Sequence, residues 1–255
     1  MFKQLRVDAI FCDYDGTLAP FGVARSKSRV PRELAATMRR IKETVVLGIV
    51  TAKDFSFIRQ RTPFADGWSC VYGAETVLID GMRSVANGFK DFAPSLKLIK
   101  EMGGQPRIEF KRTSKGELCG LGVEWQPSSA PAEEQLLPKI HMIRAGGMQV
   151  LHDPLYPMID ITSSSRDKGD AVRVLKRMLG VRRGLMFVGD SVADNPAFAV
   201  SDLSIGIMGG RWEDRLKCDY FVAANELGGF FDDLLETDMV FSDKTRRARE
   251  REGTG

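Results

Sequence analysis

The sequence predicts an α/β protein in which a parallel sheet is covered by helices on both faces and a smaller α+β unit is inserted into the chain. Three observations carry this prediction. Three short apolar runs, Val7 to Cys12, Val45 to Val50 and Leu185 to Gly189, each stop at an oxygen-bearing side chain, respectively Asp13, Thr51 and Asp190. Helix-period stretches at 32–43, 54–62, 168–179 and 226–236 alternate with them, the pattern of strands joined by covering helices. The middle of the chain changes instead to alternating apolar and polar residues, which suits strands with one wet face. In open parallel sheets ligands lie outside the carboxyl ends of the strands. Three oxygen-bearing strand ends therefore mark a candidate site.

Taken in order, VDAIFC is apolar and partly β-branched, ends at Asp13 and is followed by Gly16, so it reads as a buried strand running into a loop. VVLGIV and LMFVG repeat the form. Pro106 to Arg112 alternates Ile108 and Phe110 with Arg107, Glu109 and Lys111. Thr113 to Gly116 turns, and Leu118 to Gln126 returns as a second strand. Helical stretches at 90–101 and 132–144 flank this hairpin, and 148–160 offers further strands. The expected organisation is a discontinuous core, 1–82 and 155–241, an inserted α+β cap at 83–154, and a frayed tail from Ser242 onward, where Lys, Arg and Glu replace almost everything apolar.

Composition removes several classes of function. The chain has 255 residues, 43% of them hydrophobic, enough for a sizeable core or two modest domains. Its 37 basic and 34 acidic residues leave a net charge of +3, which speaks against a basic nucleic-acid groove. No apolar run reaches the roughly 18 residues of a membrane span, and no secretory segment is visible, so the expected compartment is the cytoplasm. Cys12, Cys70, Cys119 and Cys218 share no C-x-x-C spacing and read as reduced, buried thiols. His141 and His152 are the two histidines, and neither receives a role. Trp68, Trp125 and Trp212 read as core or partial surface.

Four short segments carry oxygen and nitrogen where chemistry needs them. Asp13-Tyr14-Asp15-Gly16-Thr17-Leu18 sets two carboxylates two residues apart beside a glycine. Alone it could be an Asp-Gly turn, but a turn does not require the first acid to end a strand. Thr51-Ala52-Lys53-Asp54 resembles a capping box, and a helix start also leaves N–H groups for phosphate oxygens. Lys168 stands at the start of the helix 168–179, where a solvated surface lysine is the bland alternative. Gly189-Asp190-Ser191-Val192-Ala193-Asp194 ends a strand with carboxylates four residues apart, also consistent with a simple N-cap.

The ordered set resembles the haloacid dehalogenase superfamily of phosphotransferases. Asp13-x-Asp15-Gly16-Thr17 matches its first motif, Thr51 its second, Lys168 its third and Gly189-Asp190-x-x-x-Asp194 its fourth. The resemblance implies a Rossmann-like sheet and hydrolysis of a phosphate monoester through an aspartyl-phosphate. Asp13 would be the nucleophile and Asp15 the acid and base, with Thr51, Ala52 and Lys168 holding the phosphoryl group. Magnesium would be held by Asp13, the main-chain carbonyl of Asp15, and Asp190, because a carboxylate attacking a dianion needs a hard cation. Asp194 and Ser191 would orient those groups from behind.

The position of the insert narrows the resemblance. Thirty-two residues separate Leu18 from Thr51, whereas 116 separate Thr51 from Lys168, so the cap belongs in the second gap. Members with a large cap there are sugar-phosphate phosphatases, including those for trehalose phosphate, sucrose phosphate and mannosyl-phosphoglycerate. Glu109-Phe110-Lys111 is similar to the E-x-K pair of the trehalose-phosphate branch, while Ala52-Lys53 stands where that branch carries Gly-Arg. The expected partner is a small sugar phosphate, with no nucleic acid and no membrane. The oligomeric state is left open, and the sugar could also be replaced by a small acid such as phosphoglycolate. Two further classes share parts of the pattern: a phospho-aspartate signalling module, and a sugar-phosphate-binding module without catalysis.

Overall fold

The computed structural model describes residues 4–153, 156–209, 213–242, 245 and 249–250. In chain order the elements are β1 (Leu5–Arg6), β2 (Ala9–Cys12), α1 (Arg32–Lys42), β3 (Val46–Val50), α2 (Phe55–Arg61), β4 (Gly67–Cys70), β5 (Glu75–Leu78) and β6 (Arg83–Val85). Next come α3 (Ala93–Glu101), β7 (Arg107–Arg112), β8 (Leu118–Glu124), α4 (Glu133–Ala145), β9 (Gln149–Asp153) and β10 (Met158–Thr162). The chain continues with α5 (Lys168–Met178), β11 (Leu185–Gly189), α6 (Asn195–Phe198), β12 (Leu203–Met208), β13 (Tyr220–Ala223), α7 (Leu227–Glu236), β14 (Val240–Phe241) and β15 (Arg249–Glu250).

The large sheet has the order β15-β13-β12-β11-β2-β3-β4-β5-β6. From β13 to β4 the neighbours are parallel, and β5, β6 and β15 add antiparallel edges. Alternation sorts each buried strand between two cores. Ile10, Cys12, Leu47, Ile49, Met186 and Val188 pack on the side covered by α1, α2 and α7. Ala9, Phe11, Val50, Leu185 and Phe187 pack on the side of α5 and α6. The three predicted runs are therefore continuous in apolarity because both faces are covered. They end at the same edge, so Asp13, Thr51 and Asp190 emerge together.

The small sheet is antiparallel, β7-β8-β10-β9. Leu121, Val123, Ile159 and Ile161 turn one face onto Ile99, Leu136, Ile140 and Ile143 of α3 and α4. Period two then sends Glu109, Lys111, Gly120, Gly122 and Asp160 to the other face.

The expected boundaries at 83 and 155 shift. Gly81, at φ +90°, and an Asp80 carboxylate accepting from Met82 N–H at 2.9 Å fold β6 back onto β5, within the large sheet. β10 pairs along its whole length with β8 and β9, so 158–162 belongs to the small sheet. Asp91 accepts from Ala93 N–H at 2.9 Å, and α3 starts there rather than at 90. The expected frayed tail is corrected at Arg249–Glu250, which pairs with β13; its residues 243–244, 246–248 and 251–255 lie outside the described residues. Trp212 also lies outside them, whereas Trp68 and Trp125 are buried, their indole N–H groups donating to Thr62 Oγ1 and the Gly103 carbonyl. All four cysteines are free and buried. Among the described residues no helix is long and apolar enough to cross a membrane.

Candidate active site

β2 positions Asp13 by carrying its ladder one step further: the Asp13 N–H donates to the Val188 carbonyl at 2.9 Å. Tyr14 then turns into the core, where its hydroxyl donates to the Ser28 carbonyl at 3.0 Å. Gly16 closes the loop with its N–H on the Ala19 carbonyl at 2.7 Å and φ at +83°. A Cβ on Gly16 would lie 2.1 Å from Asp190 Oδ2, so the glycine is required by the approach of that carboxylate as well as by its backbone conformation. Thr17 Oγ1 donates to the other oxygen, Asp190 Oδ1, at 3.0 Å.

α5 brings the cation. Asp167 and Asp170 form a reciprocal capping box at its start, which fixes Lys168 as the first helical residue. Lys168 is 3% exposed, and its Nζ lies 2.9 Å from Asp13 Oδ1 and 2.7 Å from Asp194 Oδ1. Asp194 Oδ2 accepts from the Asp190 N–H at 3.2 Å and from the Ser191 N–H and Oγ at 3.0 Å each. Both oxygens of Asp194 are thus occupied by donors. Gly189 makes room for it, since a Cβ there would stand 2.5 Å from Asp194 Cγ. The expected bland alternative for Lys168, a solvated lysine, does not hold.

Carboxylate oxygens of Asp13, Asp190 and Asp194 lie within 4.8 Å of one another. Burial raises the Asp13 carboxyl to about 7, against the opposing pull of Lys168, and Asp194 and Asp15 add to the rise. Burial, then Asp13 and Asp194, also hold Asp190 well above the usual carboxylate range. Burial would lower the Lys168 ammonium, but the carboxylates of Asp13 and Asp194 outweigh it and keep it above its ordinary value. Three carboxylates with one ammonium carry two excess negative charges when ionised, and neither Asp13 Oδ2 nor Asp190 Oδ2 has a donor among the described residues. Hard, unshared carboxylate oxygens in such a cluster fit a magnesium-type cation.

No protein-family model matches the chain. It is 26% identical over 214 residues to a trehalose-6-phosphate phosphatase-related protein of Thermoplasma acidophilum, covering 82% of this chain and 89% of that protein. The crystal structure of a trehalose-6-phosphate phosphatase related protein superposes with a TM-score of 0.67 at 23% identity, over 90% of this chain and 97% of that one. A sugar phosphatase of haloacid dehalogenase subclass IIB superposes with a TM-score of 0.69 at 14% identity, over 91% and 100%. This chain has the haloacid dehalogenase fold. Its β11, β2 and β3 bring three motif segments to one edge, and α5 brings the lysine under them.

Within this haloacid dehalogenase fold the second-motif loop differs from the capping box expected at Thr51. Thr51 is not the N-cap: α2 begins at Phe55 and is capped by Asp54, whose Oδ1 accepts from Phe57 N–H at 2.9 Å. Thr51 is fully buried, its N–H donates to the Ser69 carbonyl at 2.9 Å, and its hydroxyl accepts from Lys53 N–H at 3.2 Å. An aspartate immediately before the helix caps it locally, which leaves Thr51 to the strand end. No hydrogen bond from Ala52 N–H appears among the described residues.

The carboxylate of Asp15 is outside the three-acid cluster and pairs with Lys53 Nζ at 3.1 Å. Burial would lower Lys53, but Asp15 and then Glu109 hold it above its ordinary value. Glu109 pairs with Arg25, which also reaches Asp54 Oδ2 at 2.8 Å. Lys111 is buried and pairs with Asp160, which also accepts from the Tyr72 hydroxyl at 2.7 Å. Both expected cap residues therefore face the candidate site but are already engaged there.

Sequence reasoning did not single out Arg25, Tyr72 or Asp160, and treated Lys53 only as a departure from a pattern. Asp160 carried a signal, a lone acid between Ile159 and Ile161 in MIDIT. Tyr72 carried none. It follows Val71 in a turn where both have positive φ, 49° and 55°, a costly conformation for such side chains. Hydrogen bonds from Val71 N–H to the Lys53 carbonyl and from Tyr72 N–H to the Thr51 carbonyl, 3.2 Å each, tie that turn to the second-motif loop.

Proposed function

We propose that this protein is a magnesium-dependent phosphatase that hydrolyses the phosphate monoester of a small sugar through an aspartyl-phosphate. The reading is carried by the convergence of Asp13, Lys168, Asp190 and Asp194 at one sheet edge, beneath a second sheet that offers Glu109 and Lys111. Asp13 attacks phosphorus through a carboxylate oxygen. As the bond from phosphorus to the sugar oxygen breaks, Asp15 gives that oxygen its proton, with Lys53 displaced from it by the incoming substrate. Asp15 then takes a proton from water, the water oxygen attacks phosphorus, and Asp13 and inorganic phosphate are released. The Thr51 hydroxyl, the Ala52 N–H and the Lys168 ammonium hold the phosphoryl oxygens. Asp13, the Asp15 carbonyl and Asp190 would hold magnesium, which would supply positive charge against the repulsion between carboxylate and phosphate dianion. Asp194 and Ser191 act behind these groups by fixing Lys168 and the main chain at Asp190.

Trehalose 6-phosphate is the first substrate to test, on the likeness to the Thermoplasma protein and on Glu109 and Lys111. Sucrose phosphate, mannosyl-phosphoglycerate and phosphoglycolate follow. Reduced, buried cysteines accord with action in the cytoplasm. The deciding measurement is phosphate release from these esters with and without magnesium. Wild type is expected to release phosphate only with the metal, and Asp13→Asn to be slower by roughly a thousandfold or more. Equal release by both would remove Asp13 as nucleophile. A long-lived acyl-phosphate on the wild-type protein would favour the signalling class.

A further inference from the structure

A pocket of about 490 Å³ opens where the two sheets meet, lined by Ala24, Arg25, Ser26, Phe57, Arg61 and Arg107. Half of that lining is arginine. Arg25 is committed to Asp54 and Glu109. Arg61 donates only to main-chain carbonyls, from Nε to Ser28 at 3.0 Å and through its terminal nitrogens to Phe57 at 3.1 Å and Arg25 at 3.5 Å. Its guanidinium stacks 3.7 Å from the centre of the Phe57 ring, and that of Arg25 lies 4.1 Å from the same centre. Neither Arg61 nor Arg107 has an ion pair among the described residues. Burial lowers Arg61 from its ordinary value, and Arg29 and Arg25 press in the same direction. Four guanidiniums, Arg25, Arg29, Arg61 and Arg107, thus share this corner with two carboxylates, Asp54 and Glu109. Among the described residues no carboxylate pairs with Arg61 or Arg107, so the corner keeps excess positive charge.

Its position relates it to the reaction. Arg107, Glu109 and Lys111 alternate along β7 on one face. Glu109 is the carboxylate that acts on Lys53, the partner of Asp15, and Arg107 lies about 7 Å further along the strand. On the other side, Phe57 meets the edge of Tyr14, the neighbour of Asp13, at 5.9 Å between ring centres. The pocket thus adjoins, through Arg25 and Glu109, the polar face of β7 that turns toward Lys53 and Asp15.

We propose that this pocket holds a second anionic group, a carboxylate or a phosphate, carried on the leaving group of the substrate. Planar guanidiniums match both anions with paired hydrogen bonds, and Arg107 is the residue free to make them. The inference rests on the phosphatase reading and deepens it, turning the expected preference among sugar phosphates from neutral sugars to those with a second acid.

Two matched pairs of compounds test it. 6-Phosphogluconate and glucitol 6-phosphate differ by one carboxylate, and fructose 1,6-bisphosphate and fructose 6-phosphate by one phosphate. Calorimetry with the Asp13→Asn protein in magnesium buffer reads binding without turnover. The acidic member of at least one pair is expected to bind about tenfold or more tightly, and addition of Arg107→Gln to bring that pair within about twofold. Response of the first pair alone assigns a sugar acid, and of the second alone a bisphosphate. Arg107 is exposed, and an unchanged melting temperature checks that its replacement leaves the fold intact. Equal Kd values within both pairs, or a preference that survives Arg107→Gln, would overturn the proposal. Phosphate release by wild type from the same compounds is scored separately. Hydrolysis without a binding preference removes the anion pocket and keeps the phosphatase; a binding preference without hydrolysis does the reverse.

Discussion

Lys168 joins folding to chemistry in a single side chain, because it is the cation between two buried carboxylates. Lys168→Met is expected to slow turnover at least a hundredfold and to lower stability by about 3–5 kcal/mol, as removal of one partner from a buried ion pair does. Urea unfolding of the magnesium-free protein measures the second effect. Gly16→Ala should act more locally, forcing Asp190 away from its position and weakening magnesium binding by roughly 10–100-fold, as read by metal titration. The pH response has a definite sign. With Asp13 raised to about 7 in the folded, metal-free protein and near 4 when unfolded, the folded state holds the extra proton between these values. The Asp13 contribution to stability in chelator should therefore fall as pH rises from about 4 to 7, with Asp190, also raised, adding a fall of the same sign, and melting temperatures of Asp13→Asn should show a shallower slope. Asp13 and Asp190 were legible in the sequence because each ends an apolar run. Lys53 and Tyr72 were not, since what defines them is the far end of a side chain meeting a residue remote in sequence.

Legibility at the scale of elements followed burial. β2, β3, β11 and α5 are marked by unbroken or strictly periodic apolarity, and they carry most of the candidate site. β4 and β5 escaped notice although both are entirely buried. Their polar residues satisfy one another: Ser69 Oγ and Thr76 Oγ1 share a hydrogen bond of 2.9 Å, and Glu75 pairs with Arg83 and accepts from Ser114 N–H at 2.7 Å. Such cross-strand pairs give no apolar run to detect. In the small sheet, Gly120 and Gly122 of β8 open space above the site, since a Cβ on Gly122 would stand 3.3 Å from Lys111 Cε and 3.4 Å from Asp160 Oδ1. Asp160→Ala would leave the Lys111 ammonium buried without its carboxylate. We expect a loss of about 3 kcal/mol, concentrated in the small sheet and visible as faster amide exchange in β7, β8 and β10 than in β2 or β11.

At the scale of the molecule, the sequence separated core from insert but misjudged where the chain passes between them, because hairpins at both ends extend each sheet past the change in composition. The large sheet has an apolar cluster on each face and the small sheet a third, while the contacts described between the two near the candidate site are largely polar: Arg25 with Glu109, Ser114 with Glu75, Tyr72 with Asp160. Magnesium should raise the melting temperature in proportion to the logarithm of its concentration above Kd, about 2.7 kcal/mol at a hundredfold excess, and Asp190→Asn should abolish the rise. The partly exposed Arg25 bridge adds a further consequence. Its attraction is felt through solvent that contains ions, and dissolved electrolyte shortens that reach from about 10 Å at 0.1 M to about 3 Å at 1 M. Added salt should therefore weaken the Arg25 contact with Glu109 well before the buried pair of Lys111 and Asp160, which is screened much less.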